Sequence, residues 1–158
     1  RATGRWTRGD ADGGAIVVGS LPKLFACPGL RIGYVLGPDE VLIDRLRRRQ
    51  PRGSVNALAL AVVPALLAVA DLSDWSARVA GLRRDLVQAL ASVGLEALPS
   101  SANYVLVPRA PGVRERLAAS AIAVRDTASF GFADGIRVAV PDAAGLDRLV
   151  SALRDSNG

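Results

Sequence analysis

Lys23 is the only lysine in a chain of twenty basic residues; every other one is an arginine. Arginine keeps its proton inside a protein, whereas lysine readily shifts its pKa when desolvated. A neutral primary amine can form a carbon–nitrogen double bond with an aldehyde, which no guanidinium does. The surroundings suit that chemistry. Residues 15–18 read as a short buried strand, 20–29 as a loop punctuated by Pro22, Pro28 and Gly29, and 31–36 as another strand. A reactive amine on a loop between buried strands is held firmly while its tip stays accessible. The alternative is a solvated loop lysine in an arginine-rich chain. A second pair of residues points to anions. Arg125 and Arg137 sit in otherwise apolar strand patterns, flanking the glycine-bearing stretch 127–135. Burying a guanidinium is costly unless an anion pairs with it. Each guanidinium can hold a carboxylate or phosphate through two parallel hydrogen bonds, so the two could clamp a small substrate bearing both. For Arg125 an ion pair with Asp126 or another acid is the competing reading.

The elements that must position these residues follow from periodicity. Residues 1–14 are polar and glycine-rich, without period, and read as a surface loop or ragged end. Asp39 is an expected N-cap for a helix with Val41, Leu42, Arg45 and Leu46 on one side. Residues 57–70 form a helix pattern apolar nearly all round, which predicts burial on most faces and a kink at Pro64. Ser54 and Asn56 before it are read as capping residues. The longest helical pattern is 75–93, with Val79, Leu82, Leu86, Val87 and Leu90 in one stripe and Gly94 as its C-cap. Beyond it, short strands at 104–107, 122–125 and 135–140, with a weaker one at 95–98, alternate with helices at 112–119 and after Asp142. Apolar strand faces need helices to cover them, so the class is α/β.

These phrases carry a family resemblance. Ser20-Leu-Pro-Lys23 followed by Gly29-Leu-Arg31-Ile-Gly33-Tyr34 resembles the lysine motif of the class I/II pyridoxal-phosphate aminotransferases of fold type I. The eight-residue spacing from lysine to arginine is kept. The resemblance implies that Lys23 holds pyridoxal 5'-phosphate covalently and that Ser20 and Arg31 bind its phosphate. Pro22 stands where the family often has Ser or Thr. The phrases QPRGSVN, SANYVLV, AVRDTASF and GIRVAV extend the likeness. They are most similar to the branch of threonine-phosphate decarboxylases of cobalamin biosynthesis and histidinol-phosphate aminotransferases. In that branch Arg137 would bind the substrate α-carboxylate and Arg125 a further substrate anion, on a phosphorylated amino acid or amino alcohol. A non-catalytic remnant that kept the fold is one rival possibility, and a basic interaction module using the arginine run at 45–52 is another. The family further implies homodimers. It places the end of the large cofactor-binding domain and the start of the interdomain helix at 1–80, and the small C-terminal α/β domain at 81–158. An acid for the pyridine nitrogen, a ring-stacking aromatic and a phosphate-binding helix start belong upstream of the lysine in that family. None is found in 1–14, so the chain by itself is expected to have no appreciable turnover.

Composition narrows the classes. Half of the 158 residues are hydrophobic and 22% are charged, a globular balance. With no methionine, even at position 1, the chain is expected to be part of a longer protein. One cysteine, Cys27, leaves no disulfide framework, and a reducing, cytoplasmic setting is the default. No histidine and one cysteine argue against a metal site. The net charge of +5 could suit nucleic acid, but the arginines are spread out. Their one run, at 45–52, lacks interleaved aromatics and reads as the solvated end of a helix, where cations are favoured. No apolar run reaches membrane-spanning length, and no membrane or nucleic-acid partner is expected.

Overall fold

The computed structural model describes residues 8–155. The chain divides into two compact units, one running to Asp71 and one starting at Leu72. The proposal that the family's two domains meet at 80/81 concerns a different boundary and stands beside this division.

The first unit is built around a two-stranded antiparallel sheet. Strands β1 (Val17–Ser20) and β2 (Gly33–Leu36) pair with Val17 opposite Leu36 and Ser20 opposite Gly33. The pairing needs small residues where the strands come closest: a Cβ on Gly19 would collide with the Tyr34 ring that lies across it. A short helix α1 (Arg8–Asp12) precedes β1, so residues 8–12 of the expected N-terminal loop are helical and Gly13 and Gly14 form a turn. Residues 1–7 of that expectation lie outside the described residues. The connection from β1 to β2 carries a one-turn helix α2 (Leu21–Leu24) and a 3₁₀ turn at Pro28–Leu30. Helix α3 (Glu40–Arg49) starts where expected, with the Asp39 carboxylate accepting from the Leu42 amide at 2.7 Å. The basic run forms its exposed last turn, against the partial negative charge of the carbonyl end.

Helix α4 (Ala57–Ala68) departs from its sequence pattern. The departure is in burial: Pro64 lies inside the helix, as its pattern places it, but only Ala59 and Val63 are buried. Leu58, Leu60 and Leu67 are 62%, 63% and 51% exposed. The connection between β1 and β2 covers one side of this helix and no more. Ala59 and Val63 pack with Leu30, and Leu21, Cys27, Ile32, Val55 and Leu66 lie around them.

The second unit is better filled. Helix α5 (Leu72–Ala91) begins three residues before the pattern indicated. It ends as read: Gly94 has φ +78°, and the Leu95 amide reaches back to the Leu90 carbonyl at 2.9 Å. Residues 95–98 form no strand, although the Leu98 amide bonds the Leu106 carbonyl. Strands β3 (Tyr104–Val107), β4 (Arg125–Asp126) and β5 (Ile136–Ala139) form an antiparallel sheet in the order β3-β5-β4. The expected strand at 122–125 therefore pairs only at its end; Ile122 and Val124 pack on the core instead. Helices α6 (Val113–Ala119) and α7 (Ala143–Asp155) complete the unit, and the Asp142 carboxylate caps α7 through the Gly145 amide at 2.8 Å. Alternation sorts the strands: Val105, Val107, Ile136 and Val138 point into a core with Leu86, Leu90, Leu117, Leu149 and Leu153.

Candidate functional site

The Lys23 stretch owes its shape to local rules. The chain leaves β1 at Ser20 and turns at once into α2, with the Phe25 amide on the Leu21 carbonyl and the Cys27 amide on the Pro22 carbonyl. Lys23 therefore sits on a helical turn and not in open loop. Pro22 occupies the first turn of α2, where a missing N–H costs nothing and its fixed φ suits the helix. It is buried, while Lys23 beside it is exposed. The return is tight, with Ala26 and Arg31 at φ +51° and +45°, in the left-handed region that non-glycine residues disfavour. Arg31 then leads into β2, whose Gly33 faces Ser20. Both ends of the stretch are thus anchored on the same pair of strands.

The donors on this stretch are uncommitted. Ser20 makes no side-chain cap bond to α2. Arg31 makes one long contact, Nη1 donating to the Pro28 carbonyl at 3.4 Å. Among the described residues no carboxylate pairs with Lys23 or Arg31. A hydroxyl, a primary amine and a guanidinium within twelve residues, with no acid competing, is a donor set that fits a phosphate-bearing aldehyde.

Asn56, the expected cap of α4, does more than cap. Its side-chain oxygen accepts from the Ala59 amide at 2.8 Å, and its amide nitrogen donates to the Leu30 carbonyl at 2.8 Å. One side chain thus starts α4 and pins the residue before Arg31. No local pattern announces the second bond, because its partner lies 26 residues away.

In the second unit the sheet brings Arg125 and Arg137 side by side. They are direct partners across β4 and β5, and Leu106 faces Arg137 from β3. Being out of phase with Val105, Val107, Ile136 and Val138, the three lie on the face opposite the packed core. Arg137 is half-buried and Arg125 exposed. The competing reading of Arg125 fails: Asp126 is held by Arg114 at 3.2 Å and also accepts from the Ala128 amide. No carboxylate pairs with either arginine among the described residues. Like charges directly opposite on a sheet repel, so this pair breaks a local rule without a protein counter-ion. The hollows of this unit at Ser120–Arg148 and at Gly94–Arg109 include neither arginine in their linings. The arginine face is open.

Sequence comparison gives these features a context. A family model described as aminotransferase class I and II matches residues 3–153. A curated relative, histidinol-phosphate aminotransferase 2 of Gluconobacter oxydans, is 33% identical over 147 residues, spanning 89% of this chain and 41% of its own length. Threonine-phosphate decarboxylase of Salmonella typhimurium is 35% identical over 148 residues, spanning 88% of this chain and 40% of its own. The chain thus spans about two fifths of the curated relatives it matches. The L-threonine-O-3-phosphate decarboxylase structure from Porphyromonas gingivalis superposes with a TM-score of 0.76 at 21% identity, covering 96% of this chain and 50% of that one. The histidinol-phosphate aminotransferase from Sinorhizobium meliloti, solved in complex with pyridoxal-5'-phosphate, gives 0.73 at 24% identity, covering 89% and 41%. At these identities the two structures speak to the fold.

Proposed function

Because the chain belongs to the class I and II aminotransferase family, whose enzymes use pyridoxal 5'-phosphate, we propose that it is the C-terminal part of such an enzyme acting on a phosphorylated amino acid or amino alcohol, in the manner of a threonine-phosphate decarboxylase of cobalamin biosynthesis. The observation that carries this reading is the register of Arg125 against Arg137 on the sheet face away from the core, with no carboxylate paired to either among the described residues. Two unpaired guanidiniums in adjacent strands suit a substrate with two anionic groups.

The roles divide by chemistry. When bound, the cofactor supplies an electron sink for the bonds at the substrate carbon bearing the amine. Lys23 Nζ holds the cofactor and moves a proton to or from that carbon. The Ser20 hydroxyl and the Arg31 guanidinium would take the cofactor phosphate as hydrogen-bond donors. Arg137 orients the substrate α-carboxylate and Arg125 its distal phosphate. In the full-length protein the reading includes a cytoplasmic homodimer.

Reduction with borohydride after incubation with pyridoxal 5'-phosphate tests it. The full-length parent is expected to carry a pyridoxyl adduct on the peptide containing Lys23, and Lys23→Arg is expected to carry none. No adduct in the parent would support a non-catalytic remnant instead. The name of the Gluconobacter relative favours a second reading, histidinol-phosphate aminotransferase. The parent separates the two: carbon dioxide released from threonine phosphate supports the first, amino transfer from histidinol phosphate to a keto acid the second.

A further inference from the structure

Two aromatic rings stand against the two arginines, and the proposed chemistry leaves them without a role. Arg137 Cζ lies 4.7 Å from the centroid of the Tyr104 ring, and Arg125 Cζ lies 5.4 Å from that of Phe130. The sheet explains the first pair. Tyr104 faces Ala139, two residues along β5 from Arg137, so its ring reaches Arg137 diagonally on the same open face. A clamp explains the second. The buried Thr127 donates its hydroxyl to the Phe132 carbonyl at 3.1 Å, and its own carbonyl accepts from the Phe130 amide at 2.9 Å. Gly135 closes on this clamp, since a Cβ there would strike Thr127 Oγ1.

A ring attracts a guanidinium through its face and takes up none of the N–H groups. A carboxylate partner would have occupied them. Rings and not acids thus hold both arginines, and their hydrogen-bonding edges stay available. Strand partners are about 4.5–5.5 Å apart at Cα, so one small ligand can reach both side chains. We propose that Tyr104 and Phe130 are positioning residues that hold Arg137 and Arg125 ready for an oxyanion, and that the paired arrangement favours a dianion over a monoanion. This rests on the reading of Arg125 and Arg137 as an anion site.

The experiment is a titration of the whole chain with inorganic phosphate and with acetate at constant ionic strength, followed by NMR of the arginine Nε–H signals. The wild type is expected to bind phosphate more tightly than acetate. Tyr104→Leu is expected to weaken phosphate binding about three- to fivefold, the range of a partly exposed cation–π contact, and Tyr104→Phe to restore it. Phe130→Leu alters a ring that belongs to no core cluster, so it tests the idea even if Tyr104→Leu does not fold. Wild-type affinity in Phe130→Leu and in folded Tyr104→Leu, with binding lost in Arg137→Gln, would overturn the positioning role and leave the anion site standing. Equal affinity for phosphate and acetate would overturn the preference for a dianion. No phosphate binding by the wild type beyond that of Arg137→Gln would overturn the inference and the site together.

Discussion

Asn56 joins two tasks in one amide. As N-cap it satisfies an orphan donor of α4; as a donor it holds the Leu30 carbonyl next to Arg31. Asn56→Ala is expected to lower stability by about 1–2 kcal/mol, because it removes the cap and leaves a part-buried carbonyl unpaired. Asn56→Asp keeps the cap acceptor but has no N–H for Leu30. Denaturant melts are expected to rank the two with Asp between wild type and Ala; equal losses for both would place the whole effect in the tie to Leu30. Pro22 teaches the same lesson from the other side. It stands where the family often has Ser or Thr, yet in this fold it lies buried in the first turn of α2. Pro22→Ser is therefore expected to lower the thermal midpoint, since it frees the unfolded chain and removes buried apolar surface.

At the scale of elements, two residue choices work against or with the backbone. Helix α6 ends with the Ile122 amide on the Leu117 carbonyl at 2.9 Å, which puts Ala121 at the left-handed position that glycine prefers. Ala121 has φ +56° and is exposed. Ala121→Gly is expected to stabilise the protein by up to about 1 kcal/mol, the relieved strain exceeding the entropy that glycine adds to the unfolded chain. A thermal scan reads this directly. Gly135→Ala should do the reverse, by roughly 1–3 kcal/mol, since its Cβ meets Thr127, Phe132 and the Val107 carbonyl in a buried place. The same variant should broaden the Phe130 ring signals in NMR, because the Thr127 clamp holds that residue. Sharp, unshifted Phe130 signals in the destabilised variant would count against the clamp.

At the scale of the molecule, the two units are unequally built. The second has a core fed by three helices and two strands. The first has a three-residue buried cluster and a two-stranded sheet, with Val18 and Val69 74% and 75% exposed. A ribbon of two strands is marginal in water without more packing. Amide hydrogen exchange is expected to be slowest in β3, β5 and the Leu86–Leu90 turn of α5, and faster by orders of magnitude in β1 and β2. Uniform protection across both sheets would contradict this. No single helix among the described residues is long and apolar enough to cross a membrane.

What the chain's letters determined by themselves was short-range. The caps at Asp39, Asn56, Gly94 and Asp142, the strand at Tyr104–Val107 and the spacing from Lys23 to Arg31 depend on residues within a turn or two of each other. Such signals survive because they need no partner from elsewhere. Only the tertiary structure decided that Arg125 faces Arg137, that Asp126 belongs to Arg114, that rings support both arginines, and that Asn56 reaches Leu30. Each of those depends on strand register or on a contact across many residues, and register is set by which face finds a core to pack against. The apolar pattern of α4 predicted burial for the same reason that it failed. A hydrophobic helix states a need for cover, and only the surrounding fold determines how many of its sides receive it.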